Sequence, residues 1–269
     1  MAIITISRGT FSGGKALSRC LAGHLGYRCI DRESIIQGAA SCGASEVKLR
    51  EAIEKPPGIL DHFSEERRRY MILFQACLAE KARQDGLIYL GNAGHLLLHD
   101  ISHVLRVRII APLEHRVRAL QESERMEREE ALAHITRMDH DRARWTRFLY
   151  GVDWSDPALY DLVVNLERTT VDEACRTVAT LAAQETFSST PQAMQAVEDL
   201  ALSGRVKAAL LTHPETSALV LEADARRGVV TLRGRVRNHR QMEAVTTLAS
   251  QTPGVEHLIT NELVQVLDS

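Results

Sequence analysis

The sequence predicts an α/β fold, a parallel sheet with helices on both faces, followed by a small separate α-β-β-α-β domain. Three observations carry this. Short β-branched runs alternate with longer helix-forming segments through residues 1–185. The first of those runs empties into a glycine-rich turn that opens a helix. Beyond a polar spacer the order changes to helix, two strands, helix, strand.

Residues 3–6 form the first strand, and residues 15–25 a helix in which Leu17, Leu21 and Leu25 share a face. Gly26 ends it, and residues 27–30 lead as a second strand into Asp31-Arg32-Glu33. Helices are expected over 34–40 and 46–54, broken by Lys55-Pro56-Pro57-Gly58, whose prolines cannot continue a helix. A long amphipathic helix over 64–83 starts with acidic residues that suit the helix dipole. Residues 87–90 and 104–110 read as strands. Pro112 opens the next helix where a missing N–H costs least, and residues 114–125 and 127–138 are rich in helix formers. A turn over 153–157, a strand over 162–166 and a helix over 171–183 close the first domain. The spacer around Ser188-Ser189-Thr190-Pro191 sets the expected division: 1–185, a linker at 186–194, and 195–269. The second domain reads as a helix over 196–211, strands over 218–221 and 229–234 about a turn at 225–228, a helix over 240–250, a turn at 252–254 and a strand over 255–266.

With 45% hydrophobic residues the chain buries a sizeable core. Lys plus Arg number 33 against 35 Asp plus Glu, so no overall basic field collects nucleic acid, and any phosphate site must be local. The five cysteines, Cys20, Cys29, Cys42, Cys77 and Cys175, are far apart and odd in number, so no disulfide framework uses them all. They read as small buried hydrophobes in a reducing compartment. No charged segment precedes the initial apolar run, and no stretch of about 18 apolar residues occurs, so the expectation is a soluble cytoplasmic protein.

Gly9-Thr10-Phe11-Ser12-Gly13-Gly14-Lys15-Ala16 matches G-x-x-x-x-G-K directly between a strand and a helix, the context a P-loop requires; the alternative is an ordinary glycine-rich turn. Glycines let successive N–H groups face phosphate oxygens, the helix start adds positive potential, and Lys15 reaches the terminal phosphates. Gly9, Ser12, Gly13, Gly14, Lys15 and Ala16 are thus the candidate nucleotide-binding residues. Ala16 stands where Ser or Thr usually supplies a hydroxyl to Mg2+, and Ser18 lies two residues too late, which leaves the ion to water and phosphate oxygens.

Ile4-Thr5-Ile6-Ser7-Arg8, Ser12-Gly13-Gly14, Gly26-Tyr27 and Asp31-Arg32-Glu33 resemble the opening of the cytidylate-kinase-like P-loop family. The likeness continues through Ile109-Ile110-Ala111-Pro112-Leu113-Glu114-His115-Arg116 and residues 139–147, and ends at Trp154-Ser155-Asp156-Pro157, Tyr160-Asp161-Leu162 and Asn165. It implies a nucleoside monophosphate kinase fold, ATP with Mg2+ on the P-loop, a pyrimidine monophosphate acceptor and a mobile arginine-bearing lid. Arg142 and Arg147 match the lid and, with Lys15, are the candidate catalytic residues; Arg144 is open between lid and surface. Asp31, Asn92 and Arg116 are the candidate acceptor-site residues, although Asp31 is equally suited to cap the helix after it. The chain departs from the family at Leu90-Gly91-Asn92, where an Asp and then Gly-Arg are usual, and at Phe11, where Gly is usual. Those departures support a second reading, a nucleotide sensor that binds but scarcely reacts. His95, His99 and His103 are spaced by four, but no Cys or carboxylate with ligand spacing accompanies them, and no metal is assigned.

In the second domain, Gly228-Val229-Val230-Thr231-Leu232-Arg233-Gly234-Arg235-Val236, Pro253-Gly254-Val255 and Asn261 closely resemble the BON domain. The resemblance implies a binding role toward a small ligand, a membrane surface or a protein partner, and leaves a homo-oligomer open. Arg226, Arg227, Arg233, Arg235, Arg237 and Arg240 form either a basic face for an anion or a solvated sheet surface.

Overall fold

The computed structural model describes residues 1–40, 45–47, 49–50 and 65–266. Most of the helix expected over 46–54, the Lys55-Pro56-Pro57-Gly58 break, Ser64 and Cys42 lie outside the described residues. In chain order the elements are β1 (Ile3–Arg8), α1 (Gly14–Leu25), β2 (Arg28–Asp31), α2 (Arg32–Ala40), α3 (Glu65–Ala82), β3 (Leu87–Leu90), α4 (Gly94–Leu97), β4 (Val104–Ile110), α5 (Leu113–Glu124), α6 (Arg128–Tyr150), β5 (Leu162–Asn165), α7 (Val171–Ala182), α8 (Pro191–Thr212), β6 (Leu221–Arg226), β7 (Val229–Val236), α9 (His239–Ser250) and β8 (His257–Gln265).

The described residues fall into two compact units, one of 1–32 and 85–190, the other of 33–50, 65–84 and 191–266. Contact thus divides the chain differently from a cut along its length. The reason is α3, which packs along α8: a Cβ on Gly204 would lie 2.8 Å from the Ala76 Cα, so glycine lets the two backbones approach.

In the first unit all five strands run parallel in the order β2-β3-β1-β4-β5, with Ile6 opposite both Leu90 and Val107. Burial on both faces explains the near-continuous apolar strands. Ile4 and Ile6 of β1 pack with Leu17 and Leu21 of α1 and with Ala174, Cys175 and Val178 of α7 in one buried cluster. The helix α7 begins at a complete capping box between Thr170 and Glu173. The spacer is more ordered than its composition predicts: Phe187 joins this core from a short 3-10 turn at Glu185–Phe187, and Pro191 already opens α8.

Three sequence expectations need correction. The helix expected to end at 138 continues as α6 to Tyr150, because no Gly or Pro intervenes until Gly151, which takes φ +68° and donates its N–H to the Arg147 carbonyl at 3.0 Å. Pro112 precedes α5 as its cap rather than forming its first residue. Cys20 of α1 and Cys175 of α7 are joined in a disulfide, where unpaired buried thiols were expected; Cys77 is buried as a free thiol, and Cys29 is free but exposed.

In the second unit β6 and β7 are antiparallel and β7 and β8 parallel. Arg227 (φ +48°) and Gly228 (φ +80°) make the two-residue hairpin turn, whose left-handed pair matches strand twist. The first strand starts at Leu221, later than expected, and Val220 is exposed. Leu202, Val206, Val230, Leu232 and Val245 form this unit's core.

Candidate active site

The glycine-rich turn leaves the carboxyl end of β1, the central strand, and runs into α1. Gly13 takes φ +89°, and a Cβ there would lie 2.6 Å from Leu166 Cδ1, so both conformation and space require glycine. Ser12 closes the turn, its hydroxyl donating to the carbonyls of Gly9 (3.0 Å) and Ile109 (3.2 Å). No side chain caps α1 and no acidic residue lies in its first turn. The N–H groups of Gly14, Lys15 and Ala16 therefore head the helix without an intrahelical partner, an arrangement that suits an anion. Lys15 is exposed and makes no salt bridge among the described residues.

Opposite this turn, α5 and α6 deliver Arg116, Asp139 and Arg142. Asp139 Oδ1 accepts from the Thr10 N–H (3.0 Å), the Thr10 hydroxyl (2.9 Å) and Arg142 Nη1 (3.2 Å), while Arg116 pairs with Oδ2. Arg142 Nη1 also donates to Thr10 Oγ1 at 2.5 Å, and Arg116 Nη1 to the Thr10 carbonyl at 3.4 Å. The three side chains are only 14% (Arg116), 22% (Asp139) and 15% (Arg142) exposed. Burial raises the Asp139 carboxyl, but Arg116 and the Thr10 N–H outweigh it and hold it below the usual carboxylate range. Burial, then repulsion from Arg8, brings the Arg142 guanidinium down to about 10 despite Asp139. Arg8, the last residue of β1, lies against the turn, since a Cβ on Gly14 would meet its Cδ at 2.7 Å. Burial lowers the Arg8 guanidinium as well, and Arg8 makes no salt bridge among the described residues.

The structure thus brings Gly9, Ser12, Gly13, Gly14, Lys15, Ala16, Arg116 and Arg142 to one loop. Arg147 stands apart from that group: it is 74% exposed and faces Asp153 at 3.7 Å. Arg144 is exposed as well. Asp31 ends β2 opposite Leu90, where its charge acts on Arg8, and the Asn92 Oδ1 just beyond β3 is buried without a hydrogen-bond partner. Sequence reasoning missed the roles of Asp139, Thr10 and Arg8. The signals were an Asp one helical turn before Arg142, and an Arg as the last strand residue before the glycines.

The oxygens around the turn do not fit a protein-held Mg2+. Ala16 has no side-chain oxygen to offer, the Ser12 hydroxyl is buried, the Thr10 hydroxyl already accepts from Arg142, and the Asp139 carboxylate is taken up by an N–H, a hydroxyl and two guanidinium groups. Among the described residues no three His, Cys, Asp or Glu side chains converge on a metal position. His95 and His103 are buried with ring nitrogens that make no hydrogen bond, His103 Nε2 lying 3.9 Å from Asp85, whereas His99 is exposed beside Asp100. In the second unit Arg233 pairs with Asp224 and Glu262, and Arg240 with Glu215, as on a solvated surface. No helix of the described residues is long and apolar enough to cross a membrane.

Comparisons with known proteins agree with this geometry. Residues 3–168 match the cytidylate kinase-like family and residues 198–266 the BON domain. The chain is 30% identical over 168 residues to a cytidylate kinase of Ignicoccus hospitalis, covering 61% of this chain and 90% of that one. It is 27% identical over 172 residues to a cytidylate kinase of Methanopyrus kandleri, covering 64% and 88%. A crystal structure of an uncharacterized protein from Eubacterium ventriosum shares the fold, with a TM-score of 0.54 at 20% identity over 67% of this chain and 97% of that one. A P-loop at the end of the central strand, arginines from the following helix pair, and a family match over most of the first unit lead to one conclusion: the chain belongs to the cytidylate kinase-like family and carries a BON domain after it.

Proposed function

We propose that the protein is a nucleoside monophosphate kinase that transfers a phosphoryl group from ATP to a pyrimidine monophosphate. The observation that supports it is the convergence of open helix-start amides, Lys15, Arg116 and Arg142 on the turn at Gly9–Gly14. Positive charge fixed around a transferring phosphoryl group stabilises it without reorganisation, the main need of this chemistry. Lys15 steadies the outer phosphates of ATP. Arg147, exposed on the same helix as Arg142, joins them when α6 closes. Asp31, at the end of β2, and Asn92, just beyond β3, face the acceptor. The test is a coupled assay with CMP, UMP, dCMP, AMP and GMP as acceptors. Turnover with a pyrimidine monophosphate that Lys15→Ala abolishes is the expected result, and no turnover above that variant on any acceptor overturns the reading.

Ala16 and the uncharged Asn92 favour a second reading, a nucleotide-responsive regulator whose BON domain engages a ligand, membrane or partner. It predicts a rise in thermal stability with ATP and no phosphoryl transfer.

A further inference from the structure

The P-loop site is rich in cations and poor in free oxygens. Arg8, Arg116 and Arg142 are held close enough to act on one another or on a shared neighbour, and Lys15 adds a fourth charge at the helix start. One carboxylate, Asp139, serves Arg116 and Arg142 together, and Arg8 has no salt-bridge partner among the described residues. Gathering like charges in a partly buried place is costly unless a polyanion completes it. Meanwhile the position that usually gives a hydroxyl to Mg2+ is a methyl group, Ala16, the Ser12 hydroxyl is buried, and the Thr10 oxygen is occupied by Arg142.

We propose that Arg8, together with Arg116, Arg142 and Lys15, supplies the counter-charge for the nucleoside triphosphate in place of a protein-held divalent ion, so that the site binds metal-free nucleotide. The proposal rests on the P-loop reading above and adds to it a ligand form and a residue, Arg8, that takes part in binding. A triphosphate carries three to four negative charges near neutral pH, and the four cations less the charge of Asp139 leave three, which the helix-start amides supplement without a metal. Arg8 suits the role because its stem lies against Gly14, the second glycine of the cradle, where any longer residue would displace it.

The test is calorimetric titration of the full chain with ATP, in excess Mg2+ and in EDTA. The expected dissociation constants agree within about fivefold between the two buffers, a difference under about 1 kcal/mol. In Arg8→Gln or Arg142→Gln, ATP binding in EDTA is expected to weaken about tenfold or more, with part of the loss recovered by Mg2+. Circular dichroism verifies that each variant is folded, and the wild-type comparison stands even if neither is. Wild-type binding that weakens by more than about fivefold on removal of Mg2+ overturns the proposal and leaves the P-loop reading standing. No ATP binding in either buffer overturns both.

Discussion

Asp139 reaches across from α6 and takes both the backbone N–H of Thr10, at 3.0 Å, and the Thr10 hydroxyl, at 2.9 Å, on a single carboxylate oxygen. Its other oxygen holds Arg116, so one acidic side chain joins the glycine-rich turn to two helices.

Replacing that carboxylate by an amide of the same shape leaves two largely buried guanidinium groups without their counter-charge. Asp139→Asn is therefore expected to lower unfolding free energy by about 2–4 kcal/mol, measured by urea denaturation. A variant as stable as the parent would show that the pair is no more than a surface contact.

His95 gives the stability an acid limb. Burial, followed by repulsion from Arg106 and Arg108, pushes its imidazole down to about 4. In the unfolded chain the ring takes a proton near pH 6.5, whereas in the fold it stays neutral until about pH 4. Between those values the unfolded state binds more protons, so stability is full above pH 6.5 and falls as pH drops toward 4, by about 3 kcal/mol in all. His95→Phe should flatten that part of a pH series of denaturation midpoints. A wild-type midpoint unchanged from pH 7.5 to 5 would show that the ring is not held neutral.

The Cys20–Cys175 disulfide closes a loop of 155 residues between α1 and α7. Its reduction is expected to cost about 2–5 kcal/mol, seen as a lower melting temperature in reductant and reproduced by Cys175→Ser without reductant. Equal melting curves in both conditions, with both thiols alkylated once the chain is unfolded without reductant, would mean that the bond does not form.

The sheet and its loop were legible because periodicity and glycine spacing are local properties. The β-branched run from Ile3, the glycines at 9, 13 and 14, and the apolar face of Leu17 and Leu21 each say in a few residues what they become. What escaped depends on distance along the chain. Cys20 and Cys175 are 155 residues apart, and nothing in their surroundings shows that α1 and α7 lie side by side. The grip of Asp139 on Thr10 spans 129 residues. The Asp139-His140-Asp141 run reads as a helix end by propensity, yet Asp139 is accepted within α6 because its carboxylate faces the loop instead of competing for local backbone. The helices 33–40 and 65–82 follow the first strands in sequence but belong by contact with the C-terminal residues, a grouping that composition does not encode.

Phe11 turns the glycine-rich turn and the α5–α6 pair into one mechanical part. It holds φ +57°, a conformation that costs a bulky residue about 1 kcal/mol, in a loop whose neighbour Gly13 takes the same hand at no penalty. What keeps it there is its ring, which packs against the nest formed by Val117 and Leu120 of α5 and Ala131 and Ile135 of α6. A hinge that swung α6 past a stationary loop would have to draw that ring out of its nest as well as break the Asp139 contacts one residue away. The loop is hung from the helix pair, so the closure proposed for α6 has to come from its C-terminal part, where Arg147 lies, and not from where α5 and α6 meet the glycine-rich turn.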